Sequence, residues 1–307
     1  MVQRRPSLFL IGAMKSGTRY LTKLLKSHPS IFMSDPEEPS YFVEQAQLRK
    51  VWAEMWDGGY WKEENYLRLF QAAENATILG ESSTNYTKLP LITGVPERIH
   101  KFDPDARFIY VMRDPVERTI SHYWQGVGRG ERRSMLDAIK EEPLYCDVSY
   151  YAMQLTPFIE KFGRERIHLL TFEELTSYPK ETMKDIWKWL EIDSSVDPSG
   201  VDQPENVTPE LVNMATMFGV PQRLRFLPIM RSIIPRLPPL IRRWGQKGIR
   251  LARRQIDPSA IDTSDVIAFL RPIQTTQTEE LVQLVGRDFP EWMTLYDKRE
   301  TRAVSGK

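Results

Sequence analysis

The chain has 307 residues, 41% hydrophobic and 27% charged, with a formal net charge of +1. That length suits one α/β unit with an extension, the composition supplies a real core, and the near-neutral charge gives no global reason to expect nucleic-acid binding. A single cysteine, Cys146, excludes an internal disulfide, and no stretch reaches the about 18 consecutive apolar residues of a membrane span.

Residues 1–6 lack the apolar run and cleavage site of a signal peptide, so the expected location is the cytoplasm. An apolar run then ends in Gly12, a loop of Ala13, Met14, Lys15, Ser16 and Gly17 follows, and residues 19–27 have helical spacing with Leu21, Leu24 and Leu25 on one face. Backbone N–H groups of such a loop, and of the helix start behind it, suit a phosphate. Lys15, Ser16 and Thr18 add a cation and two hydroxyls. Gly12 and Gly17 keep the separation of the nucleotide-hydrolysing motif G-x-x-x-x-G-K-[ST], but Thr18 follows Gly17 and the lysine lies two residues before it. The displaced lysine points to one phosphate in the cradle with the reacting bond beside it. An ordinary strand–turn–helix corner is the other reading.

Residues 30–33 form a short strand candidate, followed by a segment in which Pro36 and Pro39 bracket Glu37 and Glu38. The prolines predict an extended, non-helical loop. Its carboxylates either face solvent or present one oxygen pair to the phosphate site. Between residues 48 and 71, Trp52, Trp56, Tyr60, Trp61 and Tyr66 supply packing or line a cleft. A second strand at residues 77–80 leads into the polar cluster Glu81-Ser82-Ser83-Thr84-Asn85-Tyr86, where an open α/β sheet places ligand contacts.

The run Arg107–Met112 is the strongest strand after the first. Asp114 suits a helix cap and Pro115 the first helical position, which puts Arg113 at a strand end and Ser121 on the next helix. Guanidinium and hydroxyl together can clamp a second phosphate, although an arginine there is as often a surface ion-pair partner. Helices over 149–162 and 179–190 and a strand over 166–171 complete a parallel, doubly wound sheet. The C-terminal third is different. From Leu211 to Ile256 there is no acidic residue, and ten arginines and lysines lie between Arg223 and Arg254 among Leu, Ile, Met and Trp244. Such a stretch either covers the core or meets an anionic membrane, an acidic substrate or a carrier.

Taken together, these pieces resemble the sulfotransferase family that uses 3′-phosphoadenosine-5′-phosphosulfate (PAPS). Gly12 to Thr18 resembles its 5′-phosphosulfate loop, and Ile109 to Ser121 resembles its 3′-phosphate element, with the family's Arg-to-Ser spacing. Gly17-Thr18-Arg19 and Glu38-Pro39-Ser40-Tyr41-Phe42 lean towards the heparan-sulfate-type branch and its bacterial relatives. The resemblance implies that Ser16, Gly17, Thr18 and Arg19 hold the 5′ end of the donor. Lys15 neutralises charge as the sulfuryl group leaves, Arg113 and Ser121 bind the 3′-phosphate, and Glu38 is the general base. Ser82 stands where that branch carries a lysine after the equivalent of Glu81, so a second cation is missing or supplied elsewhere, and a glycosaminoglycan acceptor is in doubt. The small-molecule branch's histidine base has only His100 as a counterpart, read as a surface residue.

The resulting expectation is a P-loop-like α/β/α core over residues 1–210 and a basic, mostly helical extension over 211–307 that contributes to the acceptor site. The reaction expected is sulfuryl transfer to a hydroxyl, less readily an amine, of a glycan, lipid or carrier-bound small molecule. The alternatives are a P-loop small-molecule kinase and a catalytically silent nucleotide-binding protein. His28, His122 and His168 have no metal-ligand spacing, so no metal is expected.

Overall fold

The structure, a computed structural model, describes residues 4–51, 59–73, 75–198, 212–215 and 253–297. Five parallel strands form one sheet in the order β2-β3-β1-β4-β5. They are β1 (Leu8–Gly12), β2 (Ile31–Met33), β3 (Ile78–Ser82), β4 (Arg107–Met112) and β5 (Ile167–Thr171). Their side chains alternate between two buried faces. Leu8 and Leu10 of β1, with Ile109 and Val111 of β4, pack against α1 (Thr18–Leu25) and a later helix over Pro179–Trp189. Phe9 and Ile11, with Phe108, Tyr110 and Met112, belong to the larger core on the opposite face. Burial on both faces explains the nearly continuous apolar runs in the sequence.

Among the described residues the α-helices, in chain order, are α1, α2 (Gln45–Val51), α3 (Glu63–Arg68), α4 (Val95–Phe102), α5 (Pro115–Arg129), α6 (Met135–Glu141), α7 (Leu144–Asp147), α8 (Tyr151–Phe162), α9 (Phe172–Ser177), α10 (Pro179–Trp189) and α11 (Ser264–Val285). Between α10 and α11, Val212–Ala215 (β6) pairs antiparallel with Arg253–Ile256 (β7). Of the aromatic residues singled out before β3, Tyr66 belongs to the core, whereas Tyr60 and Trp61 are half-buried outside it. Tyr66 is fully buried and stacks on Tyr41, with ring centroids 4.2 Å apart. Trp52 and Trp56 lie outside the described residues.

Two expectations change in detail. Strand β3 runs two residues further than expected, so Glu81 and Ser82 are its buried end and not part of the following loop. The sequence predicts a last helix over residues 278–295, whereas the last described helix spans Ser264–Val285 and a turn-rich tail carries Phe289, Trp292 and Leu295 into the core. Phe289 stacks on Trp292 at 4.3 Å, and Trp292 meets Tyr151 at 5.8 Å. The basic stretch from Arg223 lies outside the described residues up to the start of β7. Among the described residues, no helix is long and apolar enough to cross a membrane.

Candidate active site

The central strand β1 has β3 on one side and β4 on the other. Its carboxyl end is therefore the switch point of the sheet, the place where open α/β folds bind ligands. Two glycines shape the loop there. Gly12 has φ +149°, and a Cβ on it would lie 2.3 Å from Thr87 Oγ1 and 2.8 Å from the Tyr110 ring. Gly17 has φ +88°, and its Cβ would lie 2.6 Å from the Phe172 ring. Neither position admits a side chain. Gly17 is also the N-cap of α1, where no side chain caps the helix and no acidic residue occupies the first turn. The positive end of α1 thus opens towards the cavity without a built-in anion.

Lys15, at φ 73°, sits on this loop. Burial lowers its ammonium to about 8, and Arg113, Arg19, Arg118 and Arg129 push in the same direction. Arg118 is fully buried and ties the loop to its surroundings, donating to the Met14 carbonyl at 3.5 Å, to Thr119 Oγ1 at 3.2 Å and to the Tyr145 carbonyl. The sequence reading assigned Arg118 no role.

Glu38 arrives from the loop after β2. That loop is not extended as its prolines suggested: Glu38 has φ 60° and Ser40 φ 52°. Prolines fix only their own φ, whereas long-range partners turn the residues between and after them. The Glu38 N–H donates to the Ser82 carbonyl at 2.8 Å. Its carboxylate accepts the Thr84 N–H at 2.9 Å and the Thr84 hydroxyl at 2.6 Å. Burial raises the Glu38 carboxyl above the usual carboxylate range, while Lys88 and the two Thr84 bonds oppose that rise.

The cation nearest in effect to Glu38 is therefore Lys88, six residues beyond Ser82. Lys88 is buried, donates to Asn85 Oδ1 at 2.6 Å, and is lowered by burial to about 8 despite the attraction of Glu38. Behind it, Glu81 accepts hydrogen bonds from Tyr86 (2.6 Å), Tyr66 (2.9 Å) and Ser83 (2.9 Å), and burial raises it to about 7. This network holds the segment that carries Thr84.

On the other side of β1, α5 begins as its sequence predicts. Pro115 takes the first position, and Asp114 Oδ1 accepts the Val116 and Glu117 N–H groups at 3.0 and 3.3 Å. Arg113 leans over the Phe172 ring at 5.0 Å and meets Glu117 at 3.5 Å.

Six of the eight residues expected at the site, namely Lys15, Gly17, Thr18, Arg19, Glu38 and Arg113, line one cavity of about 210 Å³. Ser16 and Ser121 do not. Ser16 is fully buried and its N–H closes the turn on the Ala13 carbonyl at 3.1 Å. Ser121 is buried on α5, on the helix strip that continues through Gln125 and Arg129, both of which reach the cavity. Met14, Thr84 and Phe172 complete the wall. The i+4 and i+8 spacing from Ser121 was a readable signal for Gln125 and Arg129, and Thr84 lay inside the polar cluster after β3. Phe172 had no such signal.

The donor set suits an anionic nucleotide. Four cations against one carboxylate line the cavity, and an uncapped helix start faces it. Among the described residues, no three His, Cys, Asp or Glu side chains gather as a metal would require.

A sequence model of the sulfotransferase family matches residues 6–197. The chain belongs to that family. Heparan sulfate glucosamine 3-O-sulfotransferase 5 from Mus musculus is 25% identical to it over 205 residues, covering 62% of this chain and 55% of the relative. The membrane-associated sulfotransferase kil1 of Dictyostelium discoideum is 30% identical over 118 residues, covering 38% and 22%. Among solved structures, a sulfotransferase from Alicyclobacillus acidocaldarius superposes with a TM-score of 0.65 at 21% identity, covering 94% of this chain and 99% of that one, a likeness of fold. The chain spans about half the length of the curated relatives it matches first, 55% in each case.

Proposed function

We propose that this sulfotransferase moves the sulfuryl group of PAPS to a sugar hydroxyl of a glycan acceptor, with Glu38 as general base and Lys15 as the cation at the leaving oxygen. The observation that carries this reading is that Lys15 and Glu38, with opposite chemical roles, line the same cavity as Arg113 and the start of α1. PAPS supplies an activated sulfur–oxygen bond whose leaving group is a phosphate. Gly17, Thr18 and the α1 amides would hold its 5′ end, and Arg113, with Ser121 on the neighbouring helix strip, its 3′-phosphate.

In the transfer, a bond forms between the acceptor oxygen and sulfur as the sulfur–phosphate oxygen bond breaks. The hydroxyl proton goes to the Glu38 carboxylate, which Thr84 aims with two hydrogen bonds. Negative charge gathers on the departing phosphate next to Lys15, an interaction strongest in the transition state and therefore one that raises turnover. Burial raises the Glu38 carboxyl, and Lys88 opposes that rise by favouring the ionised form. The glycan reading draws on relatives named heparan sulfate glucosamine 3-O-sulfotransferase and carbohydrate sulfotransferase 15. With Ser82 in place of a lysine, the buried cation that bears on Glu38 is Lys88, which supports the glycan reading without lining the cavity itself. A kinase lacks support, because the G-K-[ST] sequence does not follow Gly12.

The test is titration calorimetry with adenosine 3′,5′-bisphosphate, followed by transfer of labelled sulfate from PAPS to a panel of glycan acceptors. Wild type should bind the bisphosphate, and Arg113→Ala should bind it at least tenfold more weakly, the weight of a lost charged hydrogen-bond pair. No binding by wild type overturns the reading. Binding without transfer to any glycan overturns the acceptor assignment.

A further inference from the structure

The donor half of the cavity is braced from behind by a segment that lies far outside the family match. Thr294 and Leu295, close to the end of the described chain, donate their backbone N–H groups to Asp114 Oδ2 at 2.8 and 2.9 Å. The other carboxylate oxygen of Asp114 caps α5. One side chain therefore fixes both the helix that follows Arg113 and the tail that crosses it. The Thr294 hydroxyl makes a further contact: it donates to Glu117 Oε1 at 2.7 Å, while Glu117 Oε2 faces Arg113 Nη2 at 3.5 Å. Thr294 is buried, so this bond is not exchanged freely for water.

We propose that Thr294 is a positioning residue for donor binding: its hydroxyl holds Glu117 back from Arg113, so that the guanidinium stays available to the 3′-phosphate. This rests on the assignment of Arg113 to the 3′-phosphate made above. At 3.5 Å the Arg113–Glu117 contact is at the long limit of a hydrogen bond, whereas the Thr294–Glu117 bond is short. One carboxylate oxygen is thus held by the tail. Without that donor the carboxylate gains by turning both oxygens to Arg113, the preferred fork geometry of an arginine–carboxylate pair. A 3′-phosphate would then compete with a neighbouring carboxylate for the same guanidinium. The rest of the tail keeps the arrangement rigid. Arg287 bridges Glu174 at 2.7 Å and Glu291 at 3.0 Å, and the Thr171 hydroxyl donates to Glu291 at 3.0 Å. Tail and donor site are thereby linked through two separate carboxylates of the core, Asp114 and Glu174.

Among the described residues, Arg113 and Asp114 at the start of its helix are charged groups set against Glu117, with the Thr294 hydroxyl reaching it from the tail. Only one of these donates a neutral hydrogen bond, and only that one can be removed without changing charge.

Calorimetry with two ligands tests the proposal: adenosine 3′,5′-bisphosphate, and adenosine 5′-monophosphate, which lacks the 3′-phosphate. Wild type should prefer the bisphosphate, and Arg113→Ala should abolish that preference. Thr294→Val, close in shape, should lower bisphosphate affinity about tenfold and leave the monophosphate unchanged. Thr294→Ser should behave as wild type, and Glu117→Gln added to Thr294→Val should restore the preference. A merely structural defect would weaken both ligands together and would not be rescued by Glu117→Gln. If Arg113→Ala removes the preference but Thr294→Val does not, or if the double variant stays weak, the positioning role is wrong while the Arg113 assignment stands. If wild type shows no preference for the bisphosphate, the Arg113 assignment fails and this inference with it.

Discussion

Glu38 and Lys15 meet across one cavity, and burial shifts each towards its neutral form: the carboxyl upward, the ammonium down to about 8. For the base this is the useful direction, since it then exchanges its proton closer to neutral pH, while an ammonium lowered to about 8 still carries its charge at pH 7. Thr84 restrains the carboxylate through two bonds, and Lys88 stabilises its charge, so Glu38 stays a base despite its setting. Glu38→Gln preserves size and keeps an oxygen for one Thr84 bond but cannot take the acceptor proton. Turnover measured as labelled sulfate transfer to a glycan should fall by about 10²-fold or more, the usual weight of a general base, with bisphosphate affinity unchanged. In wild type the acid limb of turnover should lie above the ordinary carboxylate range, because protonating Glu38 removes the base and burial raises its pKa. Undiminished turnover in Glu38→Gln would move the base to another group.

Helix α5 joins donor site and tail through its cap. Asp114 accepts four backbone N–H groups, two at the start of α5 and two from the tail. Asp114→Ala should cost about 3 kcal/mol in urea unfolding, roughly 1 for the lost cap and about 2 for the buried Thr294 and Leu295 N–H groups left unpaired. Asp114→Asn should cost less, since its one remaining oxygen still accepts. A loss below about 1 kcal/mol for Asp114→Ala would show that the tail stays docked without it. The cap itself was legible in the sequence because its cause is local: Asp, then Pro, directly after the apolar run of β4. The same holds for the phosphate loop, where Gly12, Lys15, Gly17 and Thr18 lie within one turn of chain. What could not be read depends on partners remote in sequence. Glu38 takes its left-handed backbone because Ser82 and Thr84 hold it, 46 residues away in the case of Thr84. Thr294 reaches Glu117 across 177 residues, and no spacing rule announces it. Lys88 escaped notice because the branch pattern directs attention to position 82, whereas the turn Thr84–Tyr86 brings a lysine six residues later to the same charge.

At the scale of the whole molecule, two buried ammonium groups, Lys15 on the cavity wall and Lys88 away from that wall, carry an unfavourable charge whose cost should appear in the pH dependence of stability. Lys15 and Lys88 both have ammonium groups lowered by burial from 10.5 to about 8. Below pH 8 the folded and the unfolded chain both carry these two charges, and the folded chain keeps them in poor solvent. Between pH 8 and 10.5 the folded chain releases the protons while the unfolded chain retains them, so the unfolded state binds more protons and stability rises with pH. Cys146 works the other way, because burial raises its thiol to about 11 and the unfolded chain ionises first, above about 9. The clear window is therefore pH 7.5 to 9, over which urea unfolding should report a gain of about 2 kcal/mol, one pH unit being worth about 1.4 kcal/mol for each lysine. Lys15→Met and Lys88→Met should each flatten part of that slope. Saturating adenosine 3′,5′-bisphosphate should remove the Lys15 share alone, since an anion beside that ammonium keeps it protonated, and should leave the Lys88 share in place. A stability that is flat or falling from pH 7.5 to 9 in the unliganded protein would mean that these lysines are solvated and that burial does not depress their ammonium groups.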